Sequence, residues 1–266
     1  MEIIEVLQEA SRLVYENVKN LAGTEEAMGD FGRGAGGDIS RNIDIVAEKT
    51  VLDYLRKIQF DCEVLGEECG KVELSKNPKG IVVMDAIDGS TNAVRGIPFF
   101  CCSLAFATEA KLSSVTDAVV TDLSTGDMYH AVKGKGAFMN GKKIHVNIKE
   151  PVYRIVCLNT SGISPSTIKK IFPIIEGSNH IRHLGANALE LALLARGLID
   201  VHIDFRDKLR ITDMAAGYLI AKEAGGYILD QNKEPLESEF GFDKKISFIA
   251  ASNKKILDDI LGKLQL

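Results

Sequence analysis

No stretch of this 266-residue chain approaches the roughly 18 consecutive apolar residues that a membrane-spanning helix needs. A secretory leader is not expected either. Glu2 and Glu5 stand where a signal peptide is basic, and apolar residues alternate with polar ones from Ile3 to Leu21. The five cysteines, at 62, 69, 101, 102 and 157, are odd in number and make no C-x-x-C pair. Buried reduced thiols in a cytoplasmic protein are the reading, with Cys101 and Cys102 inside an apolar strand. The five histidines, at 130, 145, 180, 183 and 202, form no H-x-x-x-H or H-x-x-E-H pattern, so no zinc centre is predicted. Excess positive charge is missing too. A net charge of −5 argues against nucleic acid or an anionic membrane as partner, while leaving room for a local basic site that holds phosphate.

What is present is an ordinary globular composition, 45% hydrophobic and 26% charged, long enough for one large domain or two small ones. Helical spacing runs over 2–21 and again over about 43–58. Between them residues 23–37 carry six glycines, which argues against a regular element and leaves either a plain connection or a mobile active-site loop. Short strands are predicted near 62–66, 80–84, 99–108, 115–122 and 127–132, and Asn140-Gly141 reads as a hairpin turn. Beyond residue 150 strands and helices alternate. Strands are expected at 153–158, 199–203, 227–229 and 246–250, and helices at 164–174 (ending near Pro173), 185–196, 212–224 (with Thr212 as N-cap) and 254–264. The change of texture predicts two closely packed subdomains, 1–150 and 151–266.

Asp85-Ala86-Ile87-Asp88-Gly89-Ser90-Thr91-Asn92, directly after the apolar run Ile81–Met84, is the most informative segment. Two carboxylates at a predicted strand end suit a hard cation, and the glycine and hydroxyls that follow suit a helix N-terminus that binds phosphate. Asp38 and Asp44, Gly66-Glu67-Glu68 and Asp213 add further acids. Taken singly, Asp213 also reads as a helix cap and Glu67 as a surface residue; clustered, such carboxylates repel unless a cation or proton lies between them. All-oxygen donors favour Mg²⁺ or Mn²⁺. Gly136–Lys143 nearly spells a phosphate-binding P-loop, but Lys143 stands where a hydroxyl is needed and the context is a hairpin.

Gly-Glu-Glu at 66–68, Asp-Ala-Ile-Asp-Gly-Ser-Thr-Asn at 85–92 and Thr-Asp-Met-Ala-Ala-Gly at 212–217 resemble the signatures of the inositol monophosphatase family. Gly134–Gly141 and Lys222–Gly226 match in order. The Gly-rich loop and short chain look most like the archaeal-type members, which act on both inositol monophosphate and fructose 1,6-bisphosphate. Ala86 replaces a usual proline and Ser90 a usual threonine. The resemblance implies a layered α-β-α-β-α sandwich, commonly a homodimer, with two to three Mg²⁺ ions (Mn²⁺ as substitute). It places one ion on Glu67, Asp85 and the Ile87 carbonyl and a second on Asp85, Asp88 and Asp213. It gives phosphate to the N–H groups of Gly89, Ser90 and Thr91. A water is oriented and deprotonated by Asp44 and Ser90, with Thr91 nearby, and Asp38 joins when the Gly-rich loop closes. The organic part of a small phosphate monoester is expected against Gly185, Ala186, Asn187 and Asp204, with Arg182, Arg206 and Arg210 as candidates for a second phosphate. Two rivals stay open: a phosphatase of NADP or 3′-phosphoadenosine 5′-phosphate, and an inactive sugar-phosphate sensor. Asn92 argues against the adenosine bisphosphate, because those relatives often carry lysine there; the intact acids argue against the sensor.

Overall fold

Strands that are apolar on both faces must be covered twice, and that requirement generates the layers of this fold. The structure is a computed structural model that describes residues 1–29, 32–37, 39–149 and 151–264. The chain begins with α1 (Ile3–Val18), α2 (Asn42–Lys57), β1 (Glu63–Gly66), β2 (Gly70–Glu73), β3 (Ile81–Asp88) and the short α3 (Ser90–Arg95). A run of strands follows: β4 (Cys101–Ala107), β5 (Val115–Asp122), β6 (Met128–Val132), β7 (Gly136–Met139) and β8 (Lys142–Ile144). Then come β9 (Ile155–Asn159), α4 (Pro165–Glu176), β10 (His180–Arg182), α5 (Asn187–Ala195) and β11 (Val201–Leu209). The chain closes with α6 (Ile211–Glu223), β12 (Tyr227–Asp230), β13 (Ile246–Ala251) and α7 (Lys254–Lys263).

One sheet has the order β2-β1-β3-β4-β5-β6-β7-β8, antiparallel except for the β1–β3 pair. The other has the order β10-β9-β11-β13-β12, parallel as far as β11 and antiparallel beyond. Alternation along β3 sends Val82 and Met84 against Leu7, Val14, Ile43 and Leu55 of α1 and α2. Val83 faces the other way, into a core shared with Leu191, Met214 and Ile220 of α5 and α6 and with Phe248 of the second sheet. Both of those helices are buried along almost their whole length, as a helix between two sheets must be. Ile203 and Ile249 look outward onto Ile171, Ile174 and Ile256 of α4 and α7. The result is the α-β-α-β-α sandwich.

Several local expectations need correcting. α6 starts at Ile211 with Arg210 as its N-cap; Thr212 is buried inside the first turn and its hydroxyl donates to Asp213 Oδ1 at 3.0 Å. α4 passes through Pro173 to Glu176, because a proline near the end removes only one helical hydrogen bond and the last turn still closes. β3 runs on through Asp88 rather than ending at Asp85. Strands β2 and β10 were not foreseen; both are short edge strands with little apolar alternation to reveal them. Asn140 and Gly141 both have positive φ, 47° and 75°, and close the two-residue turn between β7 and β8. All five cysteines are free, four of them buried. Among the described residues no helix is long and apolar enough to cross a membrane.

The Gly134–Gly141 and Lys222–Gly226 motifs meet away from the acidic cluster. The Glu223 carboxylate accepts the N–H groups of Gly134 and Gly136, each at 2.8 Å, and pins the β6–β7 turn to the end of α6.

Candidate active site

Asp85 and Asp88 are three residues apart, so an unbroken strand would turn them to opposite faces. The pairing shifts between them: Asp85 faces Ser103 of β4 while Asp88 faces Cys101, which leaves one extra residue on β3. This bulge brings both carboxylates to the wall of one cavity of about 800 Å³. The same cavity is lined by Glu67, Ile87, Gly89, Ser90, Thr91, Gly185, Asn187, Arg206, Arg210 and Asp213.

Asp213 and Asp44 reach the site by the same local device. Each is the third residue of a helix and accepts the N–H of the N-cap arginine: Arg41 N to Asp44 Oδ2 at 2.8 Å, and Arg210 N to Asp213 Oδ2 at 3.1 Å. The sequence signal is Arg-x-x-Asp, spelled by Arg41–Asp44 and by Arg210–Asp213. A carboxylate in a first turn also gains about 0.3–1 kcal/mol from the helix dipole.

Oxygens of Glu67, Asp85 and Asp213 lie within 4.8 Å of one another, an all-oxygen set suited to a hard divalent cation. Arg210 at present provides the positive charge, with Nη2 2.9 Å from Glu67 Oε1 and Nε 3.3 Å from Asp213 Oδ1. Burial and the neighbouring Glu67, Asp88 and Asp213 push the Asp85 carboxyl well up. Burial and Asp213 push Asp88 up to about 7. Carboxyls that hold protons this firmly are short of positive charge, and a cation is what the donor set fits. Asp88 Oδ2 accepts the Ala188 N–H at 2.7 Å, so β3 and the start of α5 are tied at the pocket wall. The buried Cys101 thiol lies 3.7 Å from the same oxygen.

Gly89, at φ 92°, is the N-cap of α3, and a Cβ there would meet the Phe99 carbonyl at 3.1 Å. Ser90 donates its hydroxyl proton to the Ile87 carbonyl at 2.9 Å. Asp44 stands in a side cleft with Glu67, Asp85 and Ser90. It is almost fully buried and its Oδ1 has no hydrogen-bond partner among the described residues. Burial raises its carboxyl to about 6, against the pull of the Arg41 N–H.

The Gly-rich segment lies on the Glu67–Glu68 turn. Ala35 N donates to the Glu68 carbonyl and Gly36 N to the Glu67 carbonyl at 2.7 Å. A Cβ on Gly36 would sit 2.8 Å from Arg210 Nη1, so glycine permits the close approach. Asp38 falls outside the described residues. Glu48, on α2, accepts the N–H groups of Glu68 and Cys69 at 2.9 and 2.8 Å and so shapes the turn that carries Glu67. Asn92 joins the two halves of the chain, donating to the carbonyls of Phe99 at 2.7 Å and Leu184 at 2.8 Å.

Three substrate-site expectations need correction. Arg182 is exposed on β10, bonded to the Ile181 carbonyl, and does not line the cavity. Ala186 is wholly buried, because its Cβ packs against Gly89. Asp204 is also wholly buried: its oxygens are taken by Arg206 at 2.5–3.0 Å and Asn159 at 3.2 Å. The group that β11 presents to the cavity is therefore Arg206. A second irregularity, between Asp204 and Leu209, swings Asp207 and Lys208 into the same wall, with Lys245 beside them. Arg33 and Arg41 complete a cationic rim that net charge had hidden.

With this geometry in place, the comparisons with known proteins agree. The profile described as the inositol monophosphatase family matches residues 1–265. The chain belongs to that family and is a phosphatase that hydrolyses phosphate monoesters. It is 34% identical, over 98% of its length and 96% of the relative's, to a fructose-1,6-bisphosphatase/inositol-1-monophosphatase of Thermococcus kodakarensis. It is 29% identical over 98% of its length to a bifunctional NADP phosphatase/NAD kinase of Methanococcus maripaludis, of which it spans 49%. Its fold matches a solved inositol monophosphatase–fructose 1,6-bisphosphatase with a TM-score of 0.86, at 28% identity, over 99% of this chain and 100% of that one.

Proposed function

We propose that this phosphatase is Mg²⁺-dependent and acts on sugar and polyol phosphates, with inositol 1-phosphate and fructose 1,6-bisphosphate as its substrates. The observation that carries the reading is one cavity lined by two kinds of group. The acidic trio and the α3 N-terminus line it, and so do Arg206, Lys208 and Lys245. One phosphate suits the first group and a second anion suits the basic residues.

Glu67, Asp85, Asp213, Asp88 and the Ile87 carbonyl would hold two to three ions, with Mn²⁺ as a substitute. Magnesium, when bound, neutralises the phosphoryl oxygens and acidifies a water. The chain supplies the rest. The N–H groups of Gly89, Ser90 and Thr91 face the phosphate and fix its orientation. Asp44 takes the water's proton on Oδ1, and a carboxyl near 6 is well matched to that role at neutral pH. Ser90, in the same cleft as Asp44 and anchored by its hydrogen bond to the Ile87 carbonyl, helps to orient that water. Gly185 and Asn187 bound the organic part. A cytoplasmic homodimer belongs to the same reading.

NADP is the second reading, supported by the cavity's 800 Å³ and by the resemblance to a bifunctional NADP phosphatase/NAD kinase. The test is Mg²⁺-dependent phosphate release from inositol 1-phosphate, fructose 1,6-bisphosphate, 3′-phosphoadenosine 5′-phosphate and NADP, with Asp88→Asn as control. Turnover of the first two, lost in the control, supports the reading. Preference for a nucleotide overturns the substrate class, and turnover retained by Asp88→Asn overturns the role of that carboxylate.

A further inference from the structure

Behind the wall that carries Asn187 and Arg206 lies a cluster of buried polar side chains that no step of the chemistry uses. Asn159 ends β9, Glu190 lies on α5, and His202 and Asp204 lie on β11; none is more than 2% exposed. Asn159 Nδ2 donates to Asn187 Oδ1 at 2.6 Å and to Asp204 Oδ2 at 3.2 Å, with His202 Nε2 further off at 3.4 Å. One NH₂ group has two hydrogens, so the two nearer oxygens take them.

Both of those oxygens belong to groups that shape the cavity. Asn187 lines it directly. Asp204 grips Arg206 through Nε and Nη2, and accepts the Arg206 backbone N–H at 3.0 Å. Among the described residues nothing takes Arg206 Nη1, which leaves a charged donor for a ligand on the cavity side. Glu190 extends the same frame. It accepts the Leu184 N–H at 3.1 Å, next to the cavity-lining Gly185, and meets His202 Nε2 at 3.3 Å.

We propose that Asn159 is a positioning residue for substrate recognition: its single amide group sets Asn187 and, through Asp204, aims Arg206 at the distal anion of the substrate. This rests on the reading that the cationic wall receives a second anionic group. The specificity of the wall then resides in a residue that touches no ligand. Asn159 links two cavity elements from separate parts of the chain, α5 and β11, so their spacing is fixed before substrate arrives. Removing the amide leaves Asn187 and Asp204 each short of a buried donor, and both relax into the cavity.

The experiment is a double-mutant cycle on the full chain with Mg²⁺, using Asn159→Leu, Arg206→Ala and the pair, with KM for fructose 1,6-bisphosphate and inositol 1-phosphate as readout. Asn159→Leu is expected to raise KM for the bisphosphate about 10-fold, and less for the monophosphate. Added to Arg206→Ala, it should raise the bisphosphate KM by less than about 2-fold, because the two act in series. The Mg²⁺ concentration for half-saturation should stay within about 2-fold, since Glu67, Asp85 and Asp213 are untouched. Additive effects, unchanged KM, or KM and Mg²⁺ requirement rising together would overturn the proposal. Should Asn159→Leu fail to fold, the smaller Asn159→Ala removes the same donor without adding a charge and must give the same pattern. Should the wild type turn over neither substrate, the functional reading fails, and the inference is decided by hydrogen exchange at Arg206 Nε–H. Exchange accelerated about 10-fold or more in the Asn159 variant supports it, and unchanged exchange overturns it.

Discussion

Asp44→Asn removes a charge that the fold holds against its own stability. The Asp44 carboxyl lies at about 6 in the folded chain against an ordinary 3.8, chiefly because burial penalises the ionised form. A raised carboxyl means that the folded state binds its proton more tightly than the unfolded state does. Its contribution is therefore fully favourable below about 3.8 and is lost as pH rises through about 6. A difference of about two pK units corresponds to about 3 kcal/mol of destabilisation at pH 8. Asparagine cannot ionise, and its oxygen can still accept the Arg41 N–H that Asp44 accepts at 2.8 Å. In EDTA, urea unfolding of the variant and the wild type should coincide near pH 4. The variant should become more stable across pH 4–6, by about 3 kcal/mol at pH 8 with an unchanged urea slope. Phosphatase activity should fall about 10²–10⁴-fold, because the amide cannot take a proton from water. A stability difference that stays flat from pH 4 to 8 would refute the assignment of Asp44 as a buried, strained charge.

Arg210→Gln should lower the stability of the metal-free protein by about 3–5 kcal/mol, since it strips the cation from the largely buried Glu67 and Asp213. Its melting temperature should then rise more on adding Mg²⁺ than that of the wild type, and an equal rise would show that Arg210 does not stand in for the ion. Gly217→Ala, inside α6, should destabilise by about 1–2 kcal/mol despite its better helix propensity. The new Cβ would lie 2.9 Å from Leu191 Cβ and 3.2 Å from Ala188 Cα, where α5 and α6 cross. Chemical denaturation reads this directly, and a stabilised variant would mean that the two helices can separate freely.

Much of the site could be read along the chain because its groups are local. Asp85, Asp88 and Gly89 lie within five residues, and Asp44 and Asp213 each sit in a helix first turn whose cap is set by three neighbouring residues. Arg182 and Asp204 misled because a charged residue near a motif has no direction until its strand is paired. Arg182 falls on an edge strand facing away from the cavity, and Asp204 turns inward to Asn159, leaving Arg206 to face the ligand. Arg206 and Arg210 were legible as candidates for an anion, but Arg33, Arg41 and Lys245 were not, because they come from segments far apart in the chain.

By itself, then, the sequence determined the chemistry on offer and, through its resemblance to a known family, the layered class. Continuous apolar runs such as Ile81–Met84 mark strands covered on both faces, and oxygen donors beside a glycine turn suit a cation and a phosphate. Tertiary structure alone decided which groups meet. Side-chain direction along a strand reverses at every residue, so one bulge against β4 puts Asp85 and Asp88 on one wall, and a second against β13 exchanges Asp204 for Arg206. Those registers are set by partner strands, and by the packing of the second half of the chain on the first, neither of which any short window of sequence contains.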